Sequence, residues 1–322
     1  MQRPKVYILH ENQAWTEPLE RRLDALGTPY QSWFLNDGQV DLASEPPAGV
    51  FYSRMSASAH TRGHRFAPEL ARNVLEWLEH HGRRVLNGTR ALRLEVSKVA
   101  QQFALTAEGI ETPRTVAALG RREIVAAARQ FEGEFIVKHN RGGKGLGVRK
   151  FAGVDVLLAY LDSGEYEPPV DGITLVQQYI RSPAAFITRC EFVGGRFLYA
   201  LRVDTSQGFE LCPADICAAA GAVGALGDEP GEKFFIDESF DSPLIGKFQT
   251  LLKRHRIDVV GIEFIVNEEG RPFTYDINTN TNYNAPAEAR VGKYGMAEIA
   301  TFLTGELARA YPVHAAISTV AS

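Results

Sequence analysis

Two periods of hydrophobic and polar positions alternate along this chain, and their switches mark its elements. Lys5–His10, Tyr30–Leu35 and Gly49–Ser53 are short apolar-rich runs between polar stretches, which predicts strands. Trp15–Leu26 and Phe66–His81 carry apolar residues at helical spacing and stop at Gly27 and Gly82, residues suited to helix C-caps. Arg84–Leu86 begins a fourth strand before Asn87-Gly88. This strand–helix rhythm predicts an open α/β domain with a mostly parallel sheet over residues 1–96. No GxGxxG follows the first strand, so a dinucleotide site has no support.

From Val96 the pattern changes. Ser97–Glu108 and Arg121–Phe131 read as helices, with Pro113 opening the segment between them. Phe135–Lys138 and Gly147–Phe151 read as strands around a glycine-rich turn, Val154–Leu161 as a helix and Ile173–Ile180 as a strand. These define a small α+β unit over 97–181. A third unit, 182–322, opens with the hairpin Ala185–Val193 and Arg196–Val203 over Gly194-Gly195. It continues with helix Pro243–His255 and closes with helix Ala297–Tyr311.

Between those helices lies the most informative stretch, VVGIEFIVNEEGRPFTYDINTNTNYN over Val259–Asn284. Val259–Val266 and Arg271–Asn278 flank Asn267–Gly270, a hairpin signal. A two-residue turn at Glu269-Gly270 sets Glu263 opposite Asp276, Ile265 opposite Thr274 and Gly261 opposite Asn278. On the other face Phe264 meets Tyr275, Ile262 meets Ile277 and Val266 meets Phe273. One face is then apolar. The other sets two carboxylates against each other, with Asn278 beside them and Gly261 leaving space above it. Directly opposed like charges destabilise a strand pair by roughly 0.2–1 kcal/mol. A hard divalent cation reverses the sign, and carboxylate and amide oxygens are ligands that Mg²⁺ accepts alongside phosphates and water. The competing reading is a half-solvated face that carries acids, and a one-residue register slip would exchange the faces.

Composition narrows the class. The chain has 322 residues, 45% of them hydrophobic and 23% charged, enough for two or three domains with a sizeable core. A net charge of −4 argues against a broad nucleic-acid or anionic-membrane surface. Cys190, Cys212 and Cys217 cannot all pair and form no CxxC, so reduced thiols in a cytoplasmic protein are expected. The apolar run Val6–Leu9 is too short for a signal peptide, and no run approaches a membrane span.

Other stretches carry candidate chemistry. In Phe135–Val148, FIVKHNRGGKGLGV, Gly142, Gly143, Gly145 and Gly147 lie between strands, where close backbone approach lets amides point at phosphate oxygens. The spacing is not that of a P-loop, and a tight turn is the competing reading. Lys138 ends the strand before the loop, and Lys98 opens a helix. Thr174–Ile180, TLVQQYI, is either a buried strand or a hinge offering backbone groups to a base. Arg189 and Arg202 lie on neighbouring strands, suited to clamping phosphoryl or carboxylate oxygens. Arg54, in a polar loop after a strand end, is a carboxylate anchor or a solvated arginine.

The order of these pieces resembles the ATP-grasp superfamily. They run from Ser97-Lys98 through Gly109–Pro113, Lys138 with its glycine loop, Val176–Ile180 and the arginine hairpin to Glu263 and Asp276-Ile277-Asn278. Within that superfamily the chain is most similar to the ribosomal-protein glutamate ligases, over about Arg84 to Phe302, and less so to D-alanine–D-alanine ligases. The resemblance implies an N-terminal open α/β domain followed by two α+β subdomains that sandwich the nucleotide. It implies an ADP-forming carboxylate–amine ligase using ATP and Mg²⁺ or Mn²⁺ on small carboxylate and amine substrates such as amino acids or peptides. Nucleic acid and membrane are not among the implied partners, and homo-oligomerisation stays open. An ATP-binding regulatory module and a small-molecule kinase are the rival readings.

Position by position, the resemblance implies that Lys98 and Lys138 contact phosphates, with Gly142, Gly143, Lys144 and Gly145 over them. Gln177, Gln178, Tyr179 and Ile180 hold adenine, and Glu263, Asp276 and Asn278 hold the metal. Arg189 matches an Asp-Ile-Arg strand whose aspartate is Thr188 here, which puts ribose recognition in question. Arg202 is assigned to the transferring phosphoryl. The family's asparagine near the phosphates is missing from Phe209–Asp215, and Ser-Pro after the metal asparagine is replaced by Thr279-Asn280-Thr281-Asn282. Both departures fall on the substrate side and suggest an unusual acceptor. Asp215 is read there as an amine anchor or general base, or as the cap of a helix over Ile216–Val223.

Overall fold

The computed structural model describes residues 3–143, 145, 147–206 and 233–312. Three β-sheets organise them. The first is parallel throughout, in the order β2-β1-β3-β4, with β1 Lys5–His10, β2 Tyr30–Phe34, β3 Gly49–Arg54 and β4 Arg84–Leu86. Helix α1 (Gln13–Ala25) links β1 to β2, and α2 (Ala67–His80) links β3 to β4. Every residue of β3 is buried, as a parallel strand covered on both faces requires.

Helices α3 (Thr89–Glu95) and α4 (Lys98–Ala107) lead into the second sheet, which is antiparallel in the order β5-β8-β6-β7. Its strands are β5 Thr115–Leu119, β6 Phe135–His139, β7 Arg149–Phe151 and β8 Ile173–Gln178. Helices α5 (Arg121–Ala128) and α6 (Val154–Asp162) bury Ile124, Val125 and Leu157 in a core shared with Phe135, Val137 and Val176.

The third sheet is antiparallel in the order β11-β10-β9-β12-β13. It comprises β9 Phe186–Val193, β10 Arg196–Asp204, β11 Phe234–Asp237, β12 Val259–Val266 and β13 Pro272–Asn278. Helix α7 (Leu244–His255) covers one face, with Phe248 packed among Phe192, Ile262 and Ile277. The other face meets the first sheet: Leu201 and Val259 share a core with Val6, Ile8 and Val50. Helix α8 (Ala285–Val291) follows β13, and α9 (Gly295–Ala310) adds Ile299 and Leu303 to that core. The end of the described chain thus returns to its beginning.

The sequence reading missed α3, β5, β11 and α8. Each is short, at most seven residues, so too few positions repeat to reveal a period.

The organising hairpin corrects the predicted register and explains why part of it holds. Gly261 faces Asn278, Ile262 faces Ile277 and Glu263 faces Asp276. Beyond Glu263 the register shifts by one, so Phe264 faces Thr274, Ile265 faces Phe273 and Val266 faces Pro272. The turn is longer than two residues. Asn267 N donates to Arg271 O at 2.9 Å, closing a loop over Glu268, Glu269 and Gly270 in which Gly270 takes φ +78°. A bulge at Tyr275 restores the register before the acids are reached. Two deviations from an ideal hairpin cancel at Glu263 and Asp276.

As the sheet's last strand, β13 offers a free edge, and side chains and loop cover it. Gln101 of α4 pairs with Ile277 as a strand would, donating from Nε2 to its carbonyl at 2.9 Å and accepting its N–H at 3.1 Å. Thr274 N donates to Glu111 O at 2.8 Å.

Candidate active site

The second and third sheets meet at a cleft of about 470 Å³, a volume common for small-molecule sites. Lys98, Lys138, Gly142, Gly143 and Gly145 line it, as do Gln177 to Ile180. Arg189, Glu263, Asp276 and Asn278 line it too. Lys144 and Asp215 lie outside the described residues.

Local capping places the two lysines. Ser97 is the N-cap of α4, accepting from Ala100 N at 3.2 Å. Asn140, two residues after Lys138, takes Lys98 N on its carbonyl at 3.2 Å and Val99 N on its Oδ1 at 3.0 Å. One asparagine thus holds the start of α4 to the end of β6. Lys98 Nζ reaches Asp276 Oδ1 at 2.5 Å. Lys138 is buried, and desolvation, with Lys98 close by, pushes its ammonium down to about 7.

Strand β8 stops at Gln178, so Tyr179 and Ile180 lie beyond the ladder. Gln177 Nε2 donates to Thr115 Oγ1 at 2.8 Å, tying the end of β8 to β5.

The two acids face each other in register, and their environments part them. Burial raises the Glu263 carboxyl above its ordinary value, opposed by Arg189. Burial also acts to raise Asp276, but the Lys98 and Lys138 ammoniums outweigh it and hold that carboxyl low. Asn278 Nδ2 lies 3.4 Å from both Glu263 Oε1 and Asp276 Oδ2. Among the described residues no three His, Cys, Asp or Glu cluster to hold a metal. Two carboxylates and one amide make an oxygen set that Mg²⁺ completes with phosphates and water. The like charges held face to face suit such an ion, and a half-turn of the Asn278 amide would bring its oxygen to the same side.

Arg189 is buried, and Nε donates to Glu191 Oε1 at 2.6 Å, Nη1 to Glu263 Oε1 at 3.1 Å and Nη2 to Thr281 Oγ1 at 2.5 Å. It fills the space that the sequence reading left open above Gly261: a Cβ there would stand 2.5 Å from Arg189 Nε. Arg202 stands apart from this lining, with Nη2 on Asp237 Oδ2 at 2.6 Å and its guanidinium 4.7 Å from the centre of the Phe186 ring. Arg54 is not a solvated loop residue. It is 2% exposed and donates to Asn282 Oδ1 at 2.9 Å.

Three further features were not legible in the sequence. The bulge turns Tyr275 into the cleft, its ring 5.7 Å from Lys138 Nζ; such re-aiming is a common use of bulges. Glu95 is buried and accepts from Ala57 N at 3.0 Å, Thr279 N at 2.7 Å and Thr279 Oγ1 at 3.0 Å. Asn280 and Asn282 line the cleft beyond Asn278. Glu95 gives no local signal because its partners are 38 and 184 residues away. In the sequence Thr279-Asn280-Thr281-Asn282 stood out only as a departure on the substrate side.

No family model matches the chain, and no curated protein matches it. Solved structures do. A RimK-domain ATP-grasp protein from Sphaerobacter thermophilus superposes with a TM-score of 0.62 at 17% identity, covering 92% of this chain and 98% of its own. The ATP-grasp ligase PsnB, complexed with a minimal precursor, gives 0.65 at 15% identity, covering 94% and 99%. D-alanyl-alanine synthetase A from Vibrio cholerae gives 0.63 at 13% identity, covering 95% and 99%. Matches spanning nearly the whole of both chains establish that this chain has the ATP-grasp fold.

Proposed function

We propose that this chain is an ATP-dependent, ADP-forming carboxylate–amine ligase, with the three sheets marking an N-terminal domain over 1–96 and two subdomains over 97–181 and 182–322 that sandwich the nucleotide. The observation that carries it is the convergence of Lys98, Lys138, Glu263, Asp276 and Asn278 with residues 177–180 in one cleft. Solved neighbours include PsnB complexed with precursor, Mg and ADP, and a D-cycloserine synthetase.

In this reading adenine lies against Gln177 to Ile180, and the glycine loop and the two lysines hold the phosphates. Glu263, Asp276 and Asn278 would hold Mg²⁺, which would neutralise phosphate charge. A substrate carboxylate oxygen attacks the γ-phosphorus, the bond to ADP breaks, and an acyl phosphate forms. The amine nitrogen then attacks the acyl carbon, phosphate leaves with the C–O electron pair, and the nitrogen gives up a proton. Such transfers depend chiefly on positioning and charge neutralisation. Arg189 acts through Glu263, whose Oε1 it holds. Asp215 is assigned to the amine, whereas Arg202, the sequence's candidate for the transferring phosphoryl, would have to leave Asp237 to reach it.

Amino acids and short peptides, supplied with Mg-ATP, test the reading. ADP formed together with an amide, and only when carboxylate and amine are both present, is the expected result. ADP with a stable phosphorylated product indicates a kinase, and nucleotide binding without turnover indicates a regulatory module.

A further inference from the structure

Beyond β6 the chain runs through Asn140 and Arg141 into Gly142 and Gly143, and this stretch meets the N-terminal unit at two points. Gly142 and Gly143 line the cleft, whereas Arg141 turns onto Glu69. Arg141 Nη1 donates to Glu69 Oε1 at 2.6 Å and Nη2 donates to Glu69 Oε2 at 3.1 Å, a bidentate pair. Glu69 stands in the first turn of α2, where a carboxylate also suits the helix dipole. The second point is Gly143, where an added Cβ would lie 3.7 Å from Ser58 Cβ. Partners 72 residues apart thus join the glycine loop to a helix of the first sheet.

The two partners differ in their surroundings. Arg141 is 8% exposed, and its Nε is buried without a hydrogen-bond partner among the described residues. The fork on Glu69 is therefore what satisfies the guanidinium. The Glu69 side chain is 44% exposed. Hydrogen bonds from Arg141 hold its carboxyl below the ordinary value, against burial and with the Arg141 charge adding to them. Without Glu69, Arg141 would be a buried cation with no partner, and the loop would have to move to take it into water. The wall that the loop meets is itself fixed. Ser58 Oγ accepts from Arg62 Nη1 at 3.1 Å and lies 2.9 Å from Ser56 Oγ. Arg62 in turn donates to buried Glu11 through Nε at 3.1 Å and Nη2 at 2.5 Å. On the other side Asn140 holds α4, and its Nδ2 donates to Asp171 Oδ2 at 2.6 Å. Asn140 thus fixes where the loop begins, and Arg141 fixes where it points.

A loop that presents backbone amides to phosphates binds better when it is aimed beforehand, because ordering it at binding costs conformational entropy. Gly142 and Gly143 have no side chains with which to aim it. We propose that Arg141, anchored on Glu69, is a positioning residue that straps the glycine loop to the N-terminal unit and sets how long a bound nucleoside diphosphate stays. Opening of the pair is the step that lets the nucleotide leave. The assignment rests on the nucleotide site of the ligase reading.

The test follows release of a fluorescent ADP analogue, with Mg²⁺, on displacement by excess ADP in a stopped-flow instrument. Glu69→Gln keeps the shape of the side chain and removes its charge, and the dissociation rate should rise at least about fivefold. Arg141→Gln should raise it by a similar factor. The two substitutions together should raise it no further than either alone, because each removes the same contact. The readout is a rate of the bound state, which a loss of global stability alone does not move. If the Arg141 variants fold poorly, Glu69→Gln and Glu69→Ala carry the test, since Glu69 lies on the surface of its helix. Unchanged dissociation in folded Glu69 variants overturns the strap and leaves the nucleotide site standing. So does an additive double variant, which would mean that Arg141 acts on the nucleotide without Glu69. A wild-type protein that binds neither ADP nor the analogue removes the nucleotide site and the strap together.

Discussion

At the nucleotide end of the cleft, Lys98 follows an N-cap serine and Lys138 lies near a strand end, signals that sit beside them in the chain, and Asn140, two residues after Lys138, joins the two. At the substrate end, Asn280 and Asn282 are set by Glu95 and Arg54, more than 180 residues away. The first end is built from local chemistry, and its residue types can be listed from the sequence. The second is built from side chains that only the fold brings together. A glycine loop or a helix cap signals itself at short range, whereas a buried glutamate gripping a distant backbone looks like any other glutamate until it is placed.

Gly261→Ala should have the largest effect, because it strikes the element that joins the two ends. The added Cβ would lie 2.5 Å from Arg189 Nε and 2.7 Å from its Nη2. Displacing Arg189 leaves Glu191 and Glu263 buried without their cation, at a cost of about 3–5 kcal/mol. A fall of many degrees in Tm with loss of activity is expected, and a Tm within a degree of wild type would show that Arg189 is not held there.

Glu95→Gln sharpens the comparison. The amide keeps one acceptor but turns a donor toward backbone N–H groups, costing about 1–3 kcal/mol. The expected signature is a raised KM for the amine substrate with the KM for ATP nearly unchanged. Equal effects on both KM values would mean that the two ends are not separately built.

Lys138 gives the nucleotide end a pH signature. Its folded-state pKa of about 7 lies below the ordinary 10.5, so between those values the unfolded chain binds the extra proton and stability rises with pH. Phosphate favours the charged form. ADP affinity should therefore fall as pH climbs above about 7, by at most about tenfold per unit. Calorimetric titration over about two pH units either side of that pKa checks this, and Lys138→Arg should flatten the profile. A wild-type profile already flat would contradict the assignment.

Gly270→Ala should do least. Its φ of +78° makes alanine cost about 1 kcal/mol, but the turn lies far along the hairpin from the acids and the Tyr275 bulge sits between. Turnover should be unchanged while Tm falls slightly. A loss of activity would mean that the turn, rather than the bulge, sets the register at Glu263.

The hairpin shows both the reach and the limit of the sequence. Glu263, Asp276 and Asn278 fall on one face as the alternation predicts, yet the assumed turn was a residue short and the bulge was unseen. A bulge carries no residue signature of its own, so Tyr275 went unrecognised beside Lys138. The parallel first sheet was legible from period alone, whereas the short elements α3, β5, β11 and α8 were not. Arg54 was visible as a candidate, but its burial, which decides its role, depends on Trp15 and Asn282 closing over it.

The central claim is that Glu263, Asp276 and Asn278 form the metal side of a nucleotide site. ADP binding, measured by calorimetry with and without Mg²⁺ in wild type and Asp276→Asn, tests it most directly, because the substitution removes one charge and preserves shape. The account predicts that Mg²⁺ tightens ADP binding at least tenfold in wild type, about 1.4 kcal/mol, and that most of this gain disappears in the folded variant. An equal gain from Mg²⁺ in both proteins would contradict it.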